Sequence, residues 1–309
     1  MTLHYLDDSQ PHAFWDKTHP PRIRIQPGEI VVFETLEGTG QITSESDASV
    51  LANLEPSLIH PLTGPVYVEG AEPGDVLKIE VLSLEHKGWG WNGVIPGFGL
   101  LGDEFPTPYI HHYALAGEDC IFDADIRIPY EPFCGIMGVA PTDSGRLDTW
   151  PPRANAGNMD VRHLTPGAIV RMPVLVPGAL FSCGDCHAAQ GDGEINGTGI
   201  ESPMRVTLRL GLGKEERIPE LQFITPAGRK LTRADEDGYF VTTAHGPDLF
   251  EDARMAVRYM LDHLVTDRGL TREQAYCLCG AAVDLKINEV VNEPNWIVSA
   301  YLPLVIFAS

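Results

Sequence analysis

The sequence predicts an α+β protein, predominantly antiparallel β in sandwich or barrel-like sheets, with a C-terminal helical pair. Three observations carry this. Glycine (31) and proline (25) punctuate the 309 residues at short intervals. Between Pro27 and Val176 the pieces they leave are short and β-like. Helical periodicity appears only late in the chain.

One pattern recurs among the strands. "QPGEIVVFETL" begins at Gln26, "EPGDVLKIEVL" at Glu72 and "TPGAIVRMPVL" at Thr165. Proline sets the first torsion of the turn, glycine tolerates the positive φ that follows, and an aliphatic strand departs. The recurrence fits either a duplicated β unit or repeated use of good turn chemistry. Helices follow. "DLFEDARMAVRYMLDHLVTDRG" places Leu249, Ala253, Ala256, Met260 and Leu264 at three- and four-residue spacing, and Gly269 ends it. "TREQAYCLCGAAVDLKI" opens with Thr271 as N-cap and Gln274 three residues on, a capping box. Two antiparallel helices packing on the sheet are expected. "VVNEPNWIVSAYLPLVIFAS" closes the chain as a strand with an apolar tail. No linker stands out. Residues 1–309 are expected to form one compact unit, with a β-rich part (1–150) and a part bearing a metal site (151–309).

Charge narrows the partners. With 43 acidic against 22 basic residues the formal net charge is -21. Phosphate binding needs clustered Lys and Arg, so nucleic acid is disfavoured, as is an anionic membrane surface. The start carries no basic segment followed by an apolar run, and no stretch of about 18 apolar residues occurs. Six cysteines are no secreted disulfide framework at this length. A soluble, cytoplasmic protein with reduced thiols is expected.

The chemistry concentrates in "SCGDCHAAQGDGEINGTGIE", Ser182 to Glu201. Cys183 and Cys186 form a C-x-x-C pair, but the glycines that follow are poor helix material for a thioredoxin-like centre. Cys277 and Cys279 lie on a predicted helix, where they point apart, so they are no second knuckle for a thiolate zinc site. Small buried cysteines are the favoured reading. Asp185 and His187 stand two apart on an expected strand and so project from one face. Gln190, Asp192, Glu194 and Glu201 follow, a hard oxygen-rich set with one nitrogen donor that suits zinc or calcium. The rival is a hydrogen-bonded Asp-x-His pair with turn residues around it. His60 precedes Pro61 and is expected to be extended. It is a third ligand or a core histidine.

"GDCHAAQGDGE" followed by "GTGIE" resembles the signature of the acetamidase/formamidase family, in its shorter branch. So do "HPLTGPVYVEGAEPGDVL" from His60, "IPGFGLL" from Ile95, "GVAP" at Gly138 and "AGNMD" from Ala156, in the expected order. "AGNMD" departs slightly from a more usual double-glycine start, and Cys186 falls at a variable position of the motif. The resemblance implies metal-dependent hydrolysis of small aliphatic amides to carboxylate and ammonia, a β-rich fold and a homo-oligomer. It points to Asp185 and His187 as ligands of a divalent metal, zinc ahead of calcium. It sets Glu194 and Glu201 at the motif's acidic positions and Asn158 with Asp160 as a second group. The expected ligand set is Asp185, His187, Asp160, Glu201 and His60. Glu194, seven residues beyond His187 across a glycine-rich segment, is the expected proton shuttle. Backbone N–H groups of that segment are expected to complete an oxyanion site. Asn158, Gln190 and Phe98 are expected on the substrate side, with Trp89 or Trp91 as further wall. Two other readings compete. Cys186 beside His187 suggests nucleophilic catalysis, but neighbours on a strand face opposite ways. A non-catalytic, metal-stabilised β scaffold binding a small ligand or partner is the second class.

Overall fold

Each of the three Pro-Gly turns opens a strand, and all three strands lie in one sheet. The computed structural model describes residues 2–226, 232–290 and 294–307. The N–H groups of Glu29, Asp75 and Ala168 donate to the carbonyls of Gln26, Glu72 and Thr165 at 3.2, 3.0 and 3.0 Å. Gly28, Gly74 and Gly167 take φ of +91°, +94° and +94°, the type II geometry that requires glycine at the third position. The sheet has six strands in the order Leu3–Leu6, Glu29–Glu34, Met204–Gly213, Val76–His86, Ile169–Pro173, Gln222–Ile224. Its pairs are antiparallel except the first.

A five-stranded sheet carries the site, in the order Ala156–Asn158, Phe133–Gly138, Phe181–His187, Leu62–Val68, Ile23–Ile25. Its middle strand, Phe181–His187, is buried at every position. A four-stranded sheet starts from Trp89–Val94, and a three-stranded one is built on Trp296–Pro303. The architecture is therefore α+β and β-rich, with open sheets and no closed barrel among the described residues. One contiguous apolar cluster runs from Leu6 to Ile306 and draws on both sides of residue 150.

The helical pair forms as its signals require. Helix α1 spans Leu249–Arg268; Asp248 accepts from the N–H groups of Phe250 and Glu251, and Gly269 closes it at φ +69°. Helix α2 spans Arg272–Ala282 behind the Thr271–Gln274 capping box. α1 packs on the strands Tyr239–Gly246 and Trp296–Pro303, and α2 against α1 and Trp89–Val94. α2 is buried from Ala275 to Ala282, so Cys277 and Cys279 are both enclosed although they point apart. Its Gly280 lies so close to Asn196 that a Cβ there would strike the Asn196 side chain. The helix thus buttresses the glycine-rich loop. Of the closing apolar segment, residues 291–293 and 308–309 lie outside the described residues; the rest forms the strand Trp296–Pro303 and a 3₁₀ turn, Leu304–Ile306. No described helix is long and apolar enough to cross a membrane.

Candidate active site

His187 ends the buried strand with its ring edge-on to Phe133, centroids 5.1 Å apart. Its Nε2 lies 3.6 Å from Asp185 Oδ1 and 3.1 Å from Glu201 Oε1. The i, i+2 pair does converge, but not along regular extended chain as expected: Asp185 sits in the left-handed region at φ +51°. Gln190 fixes the ring from the other side. Its Nε2 donates to the Asp160 carbonyl at 2.9 Å, so its Oε1 is the atom that meets His187 Nδ1 at 2.7 Å. Nδ1 therefore carries a hydrogen, and a neutral ring would aim its Nε2 lone pair at two carboxylates. Acceptors facing an acceptor call for a positive charge between them. Without one, Glu201 and Asp185 overcome the effect of burial and push the imidazole pKa well up.

Asp160, Glu194 and Glu201 join this centre. Asp160, Asp185 and His187 form one group and His187, Glu194 and Glu201 another, each with its donor atoms within 4.8 Å of one another. Asp160 Oδ1, His187 Nε2 and Glu201 Oε2 are buried without a hydrogen-bond partner. Burial pushes the Glu201 carboxyl up to about 8, opposed by His187 and aided by Asp185. Burial likewise lifts Glu194 to about 8, against His187 and with Glu201 and Asp185. Asp160 is raised well above the carboxylate range by burial and by Glu194. Asp185 is the exception: burial would raise it, but His60 and His187 hold it below the usual range. Three glycines leave room for the cluster. A Cβ on Gly38 would clash with Asp185 Oδ1 and Glu201 Oε2, one on Gly135 would lie 2.5 Å from Asp160 Oδ1, and one on Gly199 would lie 2.5 Å from His187 Nδ1. Orphaned donors in a cradle that excludes side chains, with hard oxygens and one imidazole, fit a divalent cation.

Backbone strain collects here. Seven described residues other than glycine have positive φ, and four are His60 (+61°), Asp160 (+47°), Asp185 (+51°) and Glu194 (+43°). Such conformations cost on the order of 1–3 kcal/mol each and persist where the surroundings impose them. His60 corrects the expectation of an extended residue. Proline pushes its predecessor toward extended backbone, but here the His60 N–H is pinned by the Gly38 carbonyl at 2.8 Å.

A cleft opens above the acids, with about 510 Å³ of free space counting its solvent-filled mouth. Asp160, Asp185, Glu194 and Glu201 line it together with His60, Asn158, Phe98 and Trp91. His60 stands outside both donor groups; its Nδ1 pairs with Thr149 Oγ1 at 3.1 Å and its ring rests on Trp150 at 4.7 Å. Asn158 donates to the Trp150 carbonyl at 3.0 Å and leaves its Oδ1 unpaired. Gln190 holds His187 and does not line the cleft. Of the two tryptophans, Trp91 forms wall and Trp89 does not. Gly38, Gly135 and Trp150 belong to the site and carry no local sequence signal for it. The expected oxyanion site in the glycine-rich loop is not free at three positions: the N–H groups of Gly191, Gly197 and Gly199 already donate to Gly280 O, Glu194 O and Glu201 Oε1. Cys186 faces away, its Sγ 3.6 Å from Cys134 Sγ and 3.5 Å from Thr35 Oγ1, and burial holds its thiol neutral.

Behind the acids, a buried ion network ties the loops down. Arg162 pairs with Asp284, and with Glu131 at 2.9 Å and Thr232 at 3.1 Å. Asp284 also accepts from the Asp192 N–H at 3.0 Å. Asp160 lies two residues before Arg162 and Glu194 two after Asp192, so one clasp serves both.

Comparison with known proteins places this chain among the amidohydrolases. The chain belongs to the acetamidase/formamidase family, whose sequence profile matches residues 4–150 and 143–309. It is 27% identical to a formamidase of Methylophilus methylotrophus, covering 97% of this chain and 90% of that one. To an acetamidase of Mycolicibacterium smegmatis it is 28% identical, covering 88% and 85%. The structure superposes on a γ-lactamase from Delftia acidovorans with a TM-score of 0.90, 25% identity and coverage of 98% and 93%.

Proposed function

We propose that the protein hydrolyses small neutral amides to a carboxylate and ammonia, using a divalent cation held by Asp160, Asp185, His187 and Glu201. The observation that carries this is that Asp160 Oδ1, His187 Nε2 and Glu201 Oε2 are buried without hydrogen-bond partners, in two donor groups that share His187, beside a cleft lined by Asp160 and Glu201. An imidazole among the donors favours zinc over calcium, which prefers an all-oxygen shell. When bound, such an ion supplies a water that loses its proton near neutral pH and a Lewis acid for the carbonyl.

The chain's own groups do the rest. Glu194 faces the cleft, placed to take a proton from the attacking water and deliver it to the departing nitrogen. The C–N bond breaks, the water oxygen stays on the acyl carbon, and nitrogen leaves as ammonia. Asn158 Oδ1, buried and unpaired, accepts an N–H of the substrate amide. Gln190 keeps the His187 ring oriented. A neutral substrate meets no repulsion from a chain of net charge -21. A cyclic amide is a second candidate, because the γ-lactamase superposes over 98% of this chain. Exposed Leu3 and Tyr5 on one edge strand, and Phe223 and Ile224 on the other, support a homo-oligomer. Six free, buried thiols support a cytoplasmic setting.

The test is ammonia release from an amide panel, with elemental analysis of the same preparation before and after chelation. Turnover lost to a chelator and restored by zinc is the expected result. No turnover of any amide, with stability alone falling on chelation, would favour the metal-stabilised scaffold.

A further inference from the structure

We infer that the cleft takes amides whose acyl carbon carries an apolar substituent larger than methyl, packed against the Phe98–Trp150 pair. This rests on the hydrolase reading above and names the substrate class within it. Besides the acids, the cleft lining is largely hydrocarbon: Leu54, Ile59, Ile95, Phe98, Trp91 and Trp150. Trp91 is fully buried and its Nε1 is spent on Glu37 Oε2 at 2.9 Å, so it presents only ring surface. Phe98 and Trp150 meet edge to face, centroids 5.7 Å apart and planes at 87°. They are 37% and 39% exposed, a half-covered aromatic pair beside the cleft.

The pair is preformed. The Phe98 ring lies so close to Gly197 that a Cβ there would strike it, and a Cβ on the next residue, Gly99, would lie 2.5 Å from the Asn196 carbonyl. Trp150 is fixed through its carbonyl by Asn158 and through its ring by His60. A rigid apolar wall gains from surface it can cover. Formamide offers one hydrogen on the acyl carbon and acetamide one methyl group. A four-carbon or aromatic acyl group can lean on the aromatic pair while its amide stays at the floor. Each buried methylene strengthens binding about fourfold.

The experiment measures kcat/KM for formamide, acetamide, propionamide, butyramide, isobutyramide and benzamide on the metal-loaded enzyme. Thermal shifts with the same amides give binding independently of turnover. Specificity should rise about fourfold per added methylene up to butyramide. Phe98→Ala and Trp150→Ala should each lower the butyramide-to-formamide ratio about tenfold. Turnover that is flat along the series, or best with formamide, overturns the inference and leaves the hydrolase reading standing. Binding that tightens along the series with no turnover keeps the inference and overturns hydrolysis. If the two variants change the oligomeric state and leave the ratio intact, the pair is a subunit contact and the inference fails.

Discussion

In the helical pair the exposed helix ends find their partners. Asp248 caps α1, Gly269 closes it in the left-handed region, and Thr271 and Gln274 satisfy each other's N–H groups at the start of α2. In the acidic cleft, which α2 supports, the same rules are broken. Asp160, Asp185 and Glu194 occupy conformations that suit glycine. Asp160 Oδ1, His187 Nε2 and Glu201 Oε2 are buried without a hydrogen-bond partner. The first region is locally self-consistent and needs nothing else to explain it. The second is locally unfavourable, the kind of departure that functional sites show, and it fits the proposed cation and substrate. Stability and chemistry are thus kept in separate parts of one core.

Exchanging an acid in the cleft for its amide should part the two regions most sharply. Glu201→Gln keeps the shape and replaces a carboxyl raised to about 8 with a group that cannot ionise. Amide turnover should fall on the order of 10³-fold, from loss of several kcal/mol of transition-state stabilisation. The melting temperature of the metal-free protein should rise. A fall in both would make the cluster structural.

Next in size is the pH dependence of the metal-free protein. The Glu194 and Glu201 carboxyls are raised in the folded state from 4.5 to about 8. A raised folded pKa contributes stability that is fully present below the unfolded value and is lost as pH rises through the folded one. His187, also raised, acts in the same direction, while Asp185 acts only at lower pH. Denaturant unfolding of chelated protein should therefore show a loss on the order of a few kcal/mol between pH 4.5 and 8. A divalent cation should flatten that slope. An unchanged slope with cation would contradict the ligand set.

Gly135→Ala pushes a methyl group to 2.5 Å from Asp160 Oδ1 and should destabilise by about 1 to 3 kcal/mol. It should also weaken cation binding, read by competition with a chromogenic chelator. Smallest is Thr271→Ala, which removes one half of the capping box and should cost about 1 kcal/mol. Turnover by the folded Thr271→Ala enzyme should stay at the parent level; an altered rate would mean that the helical pair tunes the cleft.

The same contrast explains what could be read from the chain. Capping residues and Pro-Gly turns act within four residues of themselves, so Gly269, Thr271, Gly28, Gly74 and Gly167 announced their elements. The Asp185–His187 pair was legible from its spacing, Glu194 and Glu201 from the oxygen-rich stretch that follows it, and the family resemblance added Asp160; the fold brings these acids around the pair. What stayed hidden came from far along the chain. Gly38 reaches Asp185 and Glu201 across some 150 residues, and Gly135 meets Asp160 only because its strand pairs with both neighbours. Trp150 has no motif at all. The twist at His60 escaped because its cause, a bond from Gly38, lies outside any local rule.

The exposed stretch Asp143–Gly145 divides the cleft's contributors in two. Gly38, His60, Trp91 and Phe98 come before it; Trp150, Asp160, Asp185, His187, Glu194 and Glu201 come after it. A chain severed there leaves one half with walls and no acids, the other with acids and an open side. Neither fragment alone can process an amide, so ammonia output from the pair would report whether two proteins fused to them have met.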